Sequence, residues 1–242
     1  MYDINKITEA LNASEYVRNS VQTIHLAVLK NVYLWMTLAL ANSGLTSLCV
    51  ANSPQALELL YSNGVTLFLV FLAQIGLVGF ISARINSISI NTATVLFIIY
   101  SILTGATLAS IFLVFTQDSI ASVFFMSAGT FAAISIYGYT TKRDLSTWKS
   151  YLFMGLIGII IASIVNWFLN SEMLHWILSY VGVIIFVGLT AYDTQKIKHM
   201  AYLYGNQELE TTQKIALIGA ITLYLDFVNL FLYLLRIFGK RK

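Results

Sequence analysis

Two aspartates lie at positions where a charged side chain is costly. Asp226 stands midway through the apolar run ITLYLDFVNLFLYLL, and Asp193 follows another apolar run, in VGLTAYDTQKIK. A charged carboxylate at the centre of a membrane helix costs about 2.5 to 3.5 kcal/mol, so Asp226 needs a partner or a proton. The position of Asp193 at the end of its run is cheaper, and a capping or snorkelling role fits its spacing equally well.

The two aspartates could act together as a proton-sensitive pair. If their carboxyl groups lie about 5 Å apart at an effective dielectric constant of about 20, their repulsion is about 3 kcal/mol. Such a pair would share one proton near neutral pH and would respond to pH as a latch. With both groups ionised it would offer the hard oxygen ligands that calcium prefers. Asp193 and Asp226 are therefore the predicted proton-sensing and ion-gating residues and the predicted calcium ligands.

Four further residues could support this pair. At helical spacing Thr222, Asn229 and Tyr233 share one face with Asp226, while leucine and phenylalanine fill the other positions. This polar face could support a cation or proton site, or it could be a hydrogen-bonding stripe that holds helices together. Arg84, at the end of an earlier apolar run, could pair with Asp193 in a closed state or could anchor the chain at the membrane surface.

The composition indicates an integral membrane protein. Of the 242 residues, 58% are hydrophobic and 10% are charged, and the mean hydropathy is +0.77. Soluble domains carry about 25% charged residues. Seven apolar runs are each long enough, at about 1.5 Å per residue, to cross a bilayer as a helix. These runs are 32–51, 65–83, 92–115, 119–139, 151–169, 174–192 and 215–238.

The sequence thus predicts an all-α integral membrane protein with seven transmembrane helices. Residues 1–31 are predicted to form a cytosolic N-terminal segment, 32–239 the transmembrane domain and 240–242 a basic tail. With these boundaries Asp193 lies at the membrane surface, and Asp226 lies about 16 Å deeper than residue 215. Contact between the two aspartates is therefore left open by the sequence alone.

Basic residues predict the orientation in the membrane. Lysine and arginine concentrate in the N-terminal segment and in the second, fourth and sixth connections, and the other connections hold none. By the positive-inside rule the N-terminus faces the cytosol. The tail does not fit the rule, because a full crossing of the seventh run, which we expect, puts its basic residues on the opposite side. These are Arg236, Lys240, Arg241 and Lys242.

Other chemistries find little support in the sequence. The three histidines have no partner at helical spacing, so a resident metal is not expected beyond calcium as a transported ion. No glycine-rich phosphate loop or nucleophile triad stands out, so neither a cofactor nor enzymatic turnover is expected. The net charge of +3 comes from connections between spans and does not indicate binding of nucleic acid.

Three segments resemble the Bax inhibitor-1 family, in particular its bacterial inner-membrane branch. They are GYTTKRDLS at 138–146, VGLTAYDTQKIK at 187–198 and LYLDFVNLFLYLLRIFG at 223–239, and the similarity extends from Trp35 to Phe238. The resemblance implies seven helices with the last one central and wrapped by the other six, and a pH-sensitive calcium leak. It also implies a hydrogen bond between Asp193 and Asp226, and a latch from Arg84 to Asp193. The third span reads LTGATLAS, where many members carry Gly-Pro.

Two alternatives to a calcium leak remain open. The chain could be a regulator that binds a membrane protease or another membrane protein without transport. It could also be an intramembrane aspartyl protease, since Tyr192 and Asp193 are followed by a second membrane aspartate. Against the protease, Asp226 follows Leu-Tyr-Leu instead of Gly-x-Gly. The only proline is Pro54, so no Pro-Ala-Leu motif follows the second aspartate. The expected partners are the lipid bilayer, calcium ions and protons, with a membrane protein added in the regulator alternative.

Overall fold

The computed structural model describes the backbone of residues 4–204 and 208–242, and the side chains of residues 26–204 and 208–242. Within those ranges the chain is helical, apart from turns, one 3-10 turn at Ser146–Trp148 and one isolated β-bridge between Phe115 and Arg241. The α-helices are α1 Ile4–Ala51, α2 Pro54–Tyr61, α3 Gly64–Arg84, α4 Ile90–Leu108, α5 Ser110–Val114, α6 Gln117–Thr140, α7 Lys149–Leu169, α8 Glu172–Tyr204 and α9 Leu209–Phe238.

Seven helical segments of the described chain are long and apolar enough to cross a membrane, which confirms the predicted fold class. They are Leu26–Ala51, Gly64–Arg84, Ile90–Val114, Gln117–Thr140, Ser146–Leu169, Glu172–Tyr204 and Leu209–Phe238. Large apolar side chains such as Phe68, Phe125 and Ile161 are exposed on the outside of the bundle. Hydrocarbon is the environment that such a surface requires.

The helix that carries Asp193 continues well past its predicted end. The sixth run was predicted to end at residue 192, but α8 extends to Tyr204, so the predicted connection 194–214 is wrong and the next helix begins at Leu209. The polar residues after Asp193 resemble a connection. The structure shows that Thr194, Ile197 and Ala201 are buried and continue the helix. Asp193 therefore lies inside a helix and not at its end. The first helix likewise begins at Ile4 within the predicted segment 1–31.

The last helix has the largest buried share of the seven spans described. It packs against α1, α4, α6 and α8, whereas α3 packs mainly on α4 and α7 mainly on α8. Direct packing on α9 is therefore extensive for four of the other spans, and wrapping by all six stays a prediction.

The end of α9 lies beside the connection that follows the third span. The backbone N–H of Thr116 donates to the carbonyl of Lys240 at 3.0 Å, and that of Lys242 donates to the carbonyl of Val114 at 3.0 Å. The basic tail thus shares one side of the bundle with the connection between α5 and α6. A full crossing of α9 requires this placement.

Small residues allow two close helix contacts. A Cβ atom on Gly105 of α4 would lie 2.4 Å from the carbonyl oxygen of Ser43, and one on Gly138 of α6 would lie 2.4 Å from that of Ala191. Both neighbours are backbone atoms that cannot move aside without shifting a helix. The contact at Gly138 fixes α6 against α8 two residues before Asp193.

We expect Gly138→Ala to destabilise the protein, because α6 and α8 must separate to admit the methyl group. Overpacking of this kind costs about 1–3 kcal/mol. Gly129→Ala is the matched control on the same helix, since nothing lies within 4 Å of its Cβ position. It should be neutral or stabilising, by up to about 1 kcal/mol. Thermal unfolding in detergent measures both, and equal melting temperatures would contradict the α6–α8 contact.

Candidate functional site

Asp193 and Asp226 lie on neighbouring antiparallel helices and are both buried, with 8% and 4% of their surface exposed. The register between α8 and α9 is set by Gly219, which packs beside Ile197, and by Gly182, which packs beside the ring of Tyr233. By this register Asp193 lies level with Thr222 and Leu223. Asp226 is then three or four residues farther along α9, or about 5 Å along the helix axis. This register reduces the depth difference of about 16 Å that the predicted boundaries implied to about 5 Å.

The two carboxyl groups are close enough to interact electrostatically. The charge of Asp193 acts on Asp226, and the ammonium group of Lys196 acts on both. Lys149, at the start of α7, also acts on Asp193. Two buried acidic side chains therefore lie within electrostatic range of each other, with cations on the Asp193 side.

One oxygen of the pair has no partner. Asp226 Oδ2 is buried without a hydrogen bond from any described residue, and so is the hydroxyl of Thr194, next to Asp193. A buried polar atom left unsatisfied costs about 1–3 kcal/mol. Within the described chain no hydrogen bond joins the two carboxyl groups, and such a bond needs a proton on one of them. The hydrogen-bonded pair stays a prediction that concerns the protonated form.

The predicted polar face is present, but its hydrogen bonds go elsewhere. Thr222 Oγ1 donates to the carbonyl of Ile218 at 3.0 Å, and Asn229 Nδ2 donates to that of Leu225 at 2.8 Å. The ring of Tyr233 stacks on Phe186 with 5.8 Å between centroids. Two of these side chains thus satisfy carbonyls of their own helix. A supporting role for the three stays a prediction.

Arg84 lies at the end of α3 and is exposed. It forms no ion pair with a described residue, and the cations that act on Asp193 are Lys196 and Lys149. The reason lies in the packing, since α3 packs mainly on α4, whereas α8 packs on α1, α6, α7 and α9. The predicted latch between Arg84 and Asp193 is absent from this conformation and stays a prediction for another one.

The site offers few ligands for a tightly bound metal. Across the residues whose side chains are described, no group of three or more His, Cys, Asp or Glu side chains comes together. Calcium takes about six to eight oxygen ligands. The two carboxylates alone would supply only part of that set.

A side chain that the sequence analysis did not select fastens a connection next to Asp193. Gln195 accepts a hydrogen bond from the backbone N–H of Leu145 at 2.8 Å and donates one to the carbonyl of Arg143 at 2.8 Å. Lys198 Nζ donates to the carbonyl of Tyr139 at 2.7 Å and lies 4.9 Å from the centre of its ring. Sequence reasoning used Lys196 and Lys198 only for orientation. The hydrogen bonds of Gln195 and Lys198 join segment 187–198 to segment 138–146, and both segments carry the family resemblance.

The same connection carries an acidic residue that is not part of the pair. The backbone N–H of Ser146 donates to Asp144 Oδ1 at 2.9 Å. This hydrogen bond holds the pKa of Asp144 below its ordinary value. Asp144 therefore stays ionised near neutral pH and does not provide a proton sensor there.

A buried tyrosine holds the helix of Asp226 in place. The hydroxyl of Tyr224 lies 2.6 Å from Ser43 Oγ, and the same Ser43 oxygen lies 2.7 Å from the carbonyl of Ser101. The Tyr224 ring meets Phe97 and Tyr100 edge-on, with 5.8 Å between centroids in each case. Three helices, α1, α4 and α9, are thus joined by one polar cluster two residues from Asp226. Because Tyr224 lies within an apolar run, the sequence contains no sign that it forms this hydrogen bond.

Comparison with known proteins extends over the whole bundle. A family model described as Inhibitor of apoptosis-promoting Bax1 matches residues 25–242. The inner membrane protein YbhL of Escherichia coli is 52% identical over 211 residues, which cover 87% of this chain and 90% of YbhL. An uncharacterised protein of Borreliella burgdorferi is 46% identical, with 88% of this chain and 92% of that protein covered. One of Rickettsia prowazekii is 42% identical, with coverage of 87% and 88%.

We expect Gln195→Ala to release the connection at residues 141–145, because both of its hydrogen bonds to that backbone are lost. Each is worth about 1 kcal/mol, so trypsin cleavage after Lys142 and Arg143 should accelerate by up to roughly thirtyfold. Gln55→Ala, in α2 and away from this connection, is the control and should leave the cleavage rate unchanged. Equal rates for Gln195→Ala and the unmodified protein in detergent would show that Gln195 does not hold the connection.

Proposed function

The chain belongs to the Bax inhibitor-1 family, and from that premise we propose that it is a pH-sensitive calcium leak channel gated by Asp193 and Asp226. It acts without enzymatic turnover, in a bacterial inner membrane, with its N-terminus in the cytosol. The observation that carries the proposal is the presence of two buried acidic side chains within electrostatic range on neighbouring helices, with one carboxyl oxygen that has no partner among the described residues. The family membership and the inner-membrane relative support it.

The gate depends on how many protons the pair holds. With one proton the two groups can share a hydrogen bond, and α8 and α9 are held together at this level. With none they repel each other by about 3 kcal/mol at a separation of about 5 Å and an effective dielectric constant of about 20. An energy of that size changes the ratio of two conformations roughly a hundredfold. A change of one proton is therefore sufficient to shift the channel between states.

The surroundings decide which carboxyl group holds the proton. Lys196 acts on both carboxyl groups, whereas Lys149 acts on Asp193 and favours its ionised form. Asp226 is the more deeply buried of the two, and it meets the negative charge of Asp193. The proton therefore belongs to Asp226, and its loss creates the doubly ionised pair. In that form the pair offers carboxylate oxygens to a passing calcium ion.

The proposal predicts that calcium flux loses its pH response when either carboxyl group of the pair is removed. In proteoliposomes the unmodified protein should show flux that changes severalfold between about pH 6 and pH 8, where the shared proton is exchanged. Asp193→Asn and Asp226→Asn should each flatten that profile. The double variant should resemble the single ones, because residues that act as a unit have non-additive effects.

Asp118→Asn is the matched control for these variants. It removes the same charge from an exposed position in the first turn of α6. Its pH profile should follow that of the unmodified protein. A pH response that survives in both Asp193→Asn and Asp226→Asn would refute the gate.

A further inference from the structure

A second polar site lies at the opposite end of α8 and α9. Here α7, α8 and α9 surround a cavity of about 730 Å³, lined on its polar side by residues that include Asn166, His175, Arg236 and Arg241. Arg236 is ten residues beyond Asp226, or about 15 Å farther along α9. The cavity is therefore distinct from the aspartate pair.

The cavity is rich in cations without acidic partners. Neither Arg236 nor Arg241 forms an ion pair with a described residue. His175 lies close enough to both arginines to interact with them electrostatically. Glu172 is the acidic residue that lines the cavity, and it forms no ion pair with either arginine. The lining therefore carries two guanidinium groups and one carboxylate, and this excess of positive charge attracts anions.

The tail that brings Arg241 to the cavity is held in place by its backbone. The β-bridge joins Arg241 to Phe115, and the backbone N–H of Lys240 donates to Ser119 Oγ at 3.1 Å. Lys242 Nζ donates to the carbonyl of Phe112 at 2.6 Å. Arg236 is placed by α9 itself, with its guanidinium carbon 5.4 Å from the centre of the Tyr233 ring. Both arginines thus come from ordered backbone on two sides of one cavity.

The aromatic residues around the cavity place it at the level of lipid headgroups. Trp167 and Phe168, at the end of α7, are 78% and 79% exposed. Trp176, near the start of α8, stacks on Tyr180 with 6.1 Å between ring centroids. Tryptophan and tyrosine concentrate where hydrocarbon meets water. The arginines beside them therefore meet the phosphate layer of a bilayer.

Basic residues at this end of the chain contradict the positive-inside rule and need another explanation. The tail shares its side of the bundle with the connection after the third span, which holds no lysine or arginine. Arginine matches phosphate oxygens with two parallel hydrogen bonds, which lysine cannot do. We propose that the cavity between α7, α8 and α9 binds a phosphate-bearing anion, which in the membrane is the headgroup of an anionic phospholipid.

The inference is independent of the calcium proposal, because a cationic cavity repels calcium ions and attracts anions. It adds a lipid-binding site that ties the ends of α8 and α9 to the bilayer while the aspartate pair acts deeper in the same two helices.

Native mass spectrometry of the full-length protein, with equal amounts of phosphatidylglycerol and phosphatidylcholine in detergent, tests the proposal. The unmodified protein should retain phosphatidylglycerol preferentially. Replacing both arginines, in Arg236→Gln with Arg241→Gln, should reduce that retention roughly tenfold or more, because each basic residue near an anionic headgroup contributes measurably. Lys142→Gln with Arg143→Gln removes two charges from a different connection, outside the cavity, and should reduce retention much less.

Two further arms separate the sources of the phosphate group and guard against misfolding. Inorganic phosphate that displaces phosphatidylglycerol from the unmodified protein, and not from the arginine variant, would support recognition of phosphate itself. Arg236→Lys with Arg241→Lys keeps the charge but loses the paired hydrogen bonds, so it should retain an intermediate amount of lipid. No preference for phosphatidylglycerol in the unmodified protein would overturn the proposal, as would equal losses in the arginine variant and the Lys142 and Arg143 control.

Discussion

Two carboxyl groups that lie within electrostatic range on neighbouring transmembrane helices repel each other when both are ionised, and each is also costly to bury. Asp193 and Asp226 are in this position, on α8 and α9. A bundle assembled only for stability would place an amide or a hydroxyl at such a contact, because neither carries charge. The packing of the last two helices therefore keeps two acidic groups whose mutual repulsion depends on their ionisation.

The rest of the bundle fixes the two aspartates against this repulsion. On the α9 side, Tyr224 and Ser43 join the helix of Asp226 to α1 and α4. On the α8 side, Gln195 fastens the connection after α6 directly beyond Asp193. Neither contact touches a carboxyl group. Together they hold α8 and α9 to the rest of the bundle on either side of the pair.

Much of this architecture follows from the sequence, because hydrocarbon demands long apolar helices and leaves few alternatives. The seven spans and the unusual position of Asp226 can be read from hydropathy alone. The end of α8 could not, since Thr194, Gln195 and Lys196 look like a polar connection until the burial of Thr194 and Gln195 is known. The role of Tyr224 could not be predicted either, because an aromatic residue in an apolar run gives no sign that its hydroxyl forms a hydrogen bond with Ser43.

The central claim is that the two carboxyl groups compete for one proton, and infrared titration of the protein in lipid tests it most directly. The carbonyl band of protonated carboxylic acid should persist at neutral pH in the unmodified protein. In Asp193→Asn the remaining group should titrate at a pH lower by up to roughly two units, because about 3 kcal/mol of repulsion is removed. An Asp226 band that titrates at the same pH with and without Asp193 would show that the two groups do not interact, and would contradict the account.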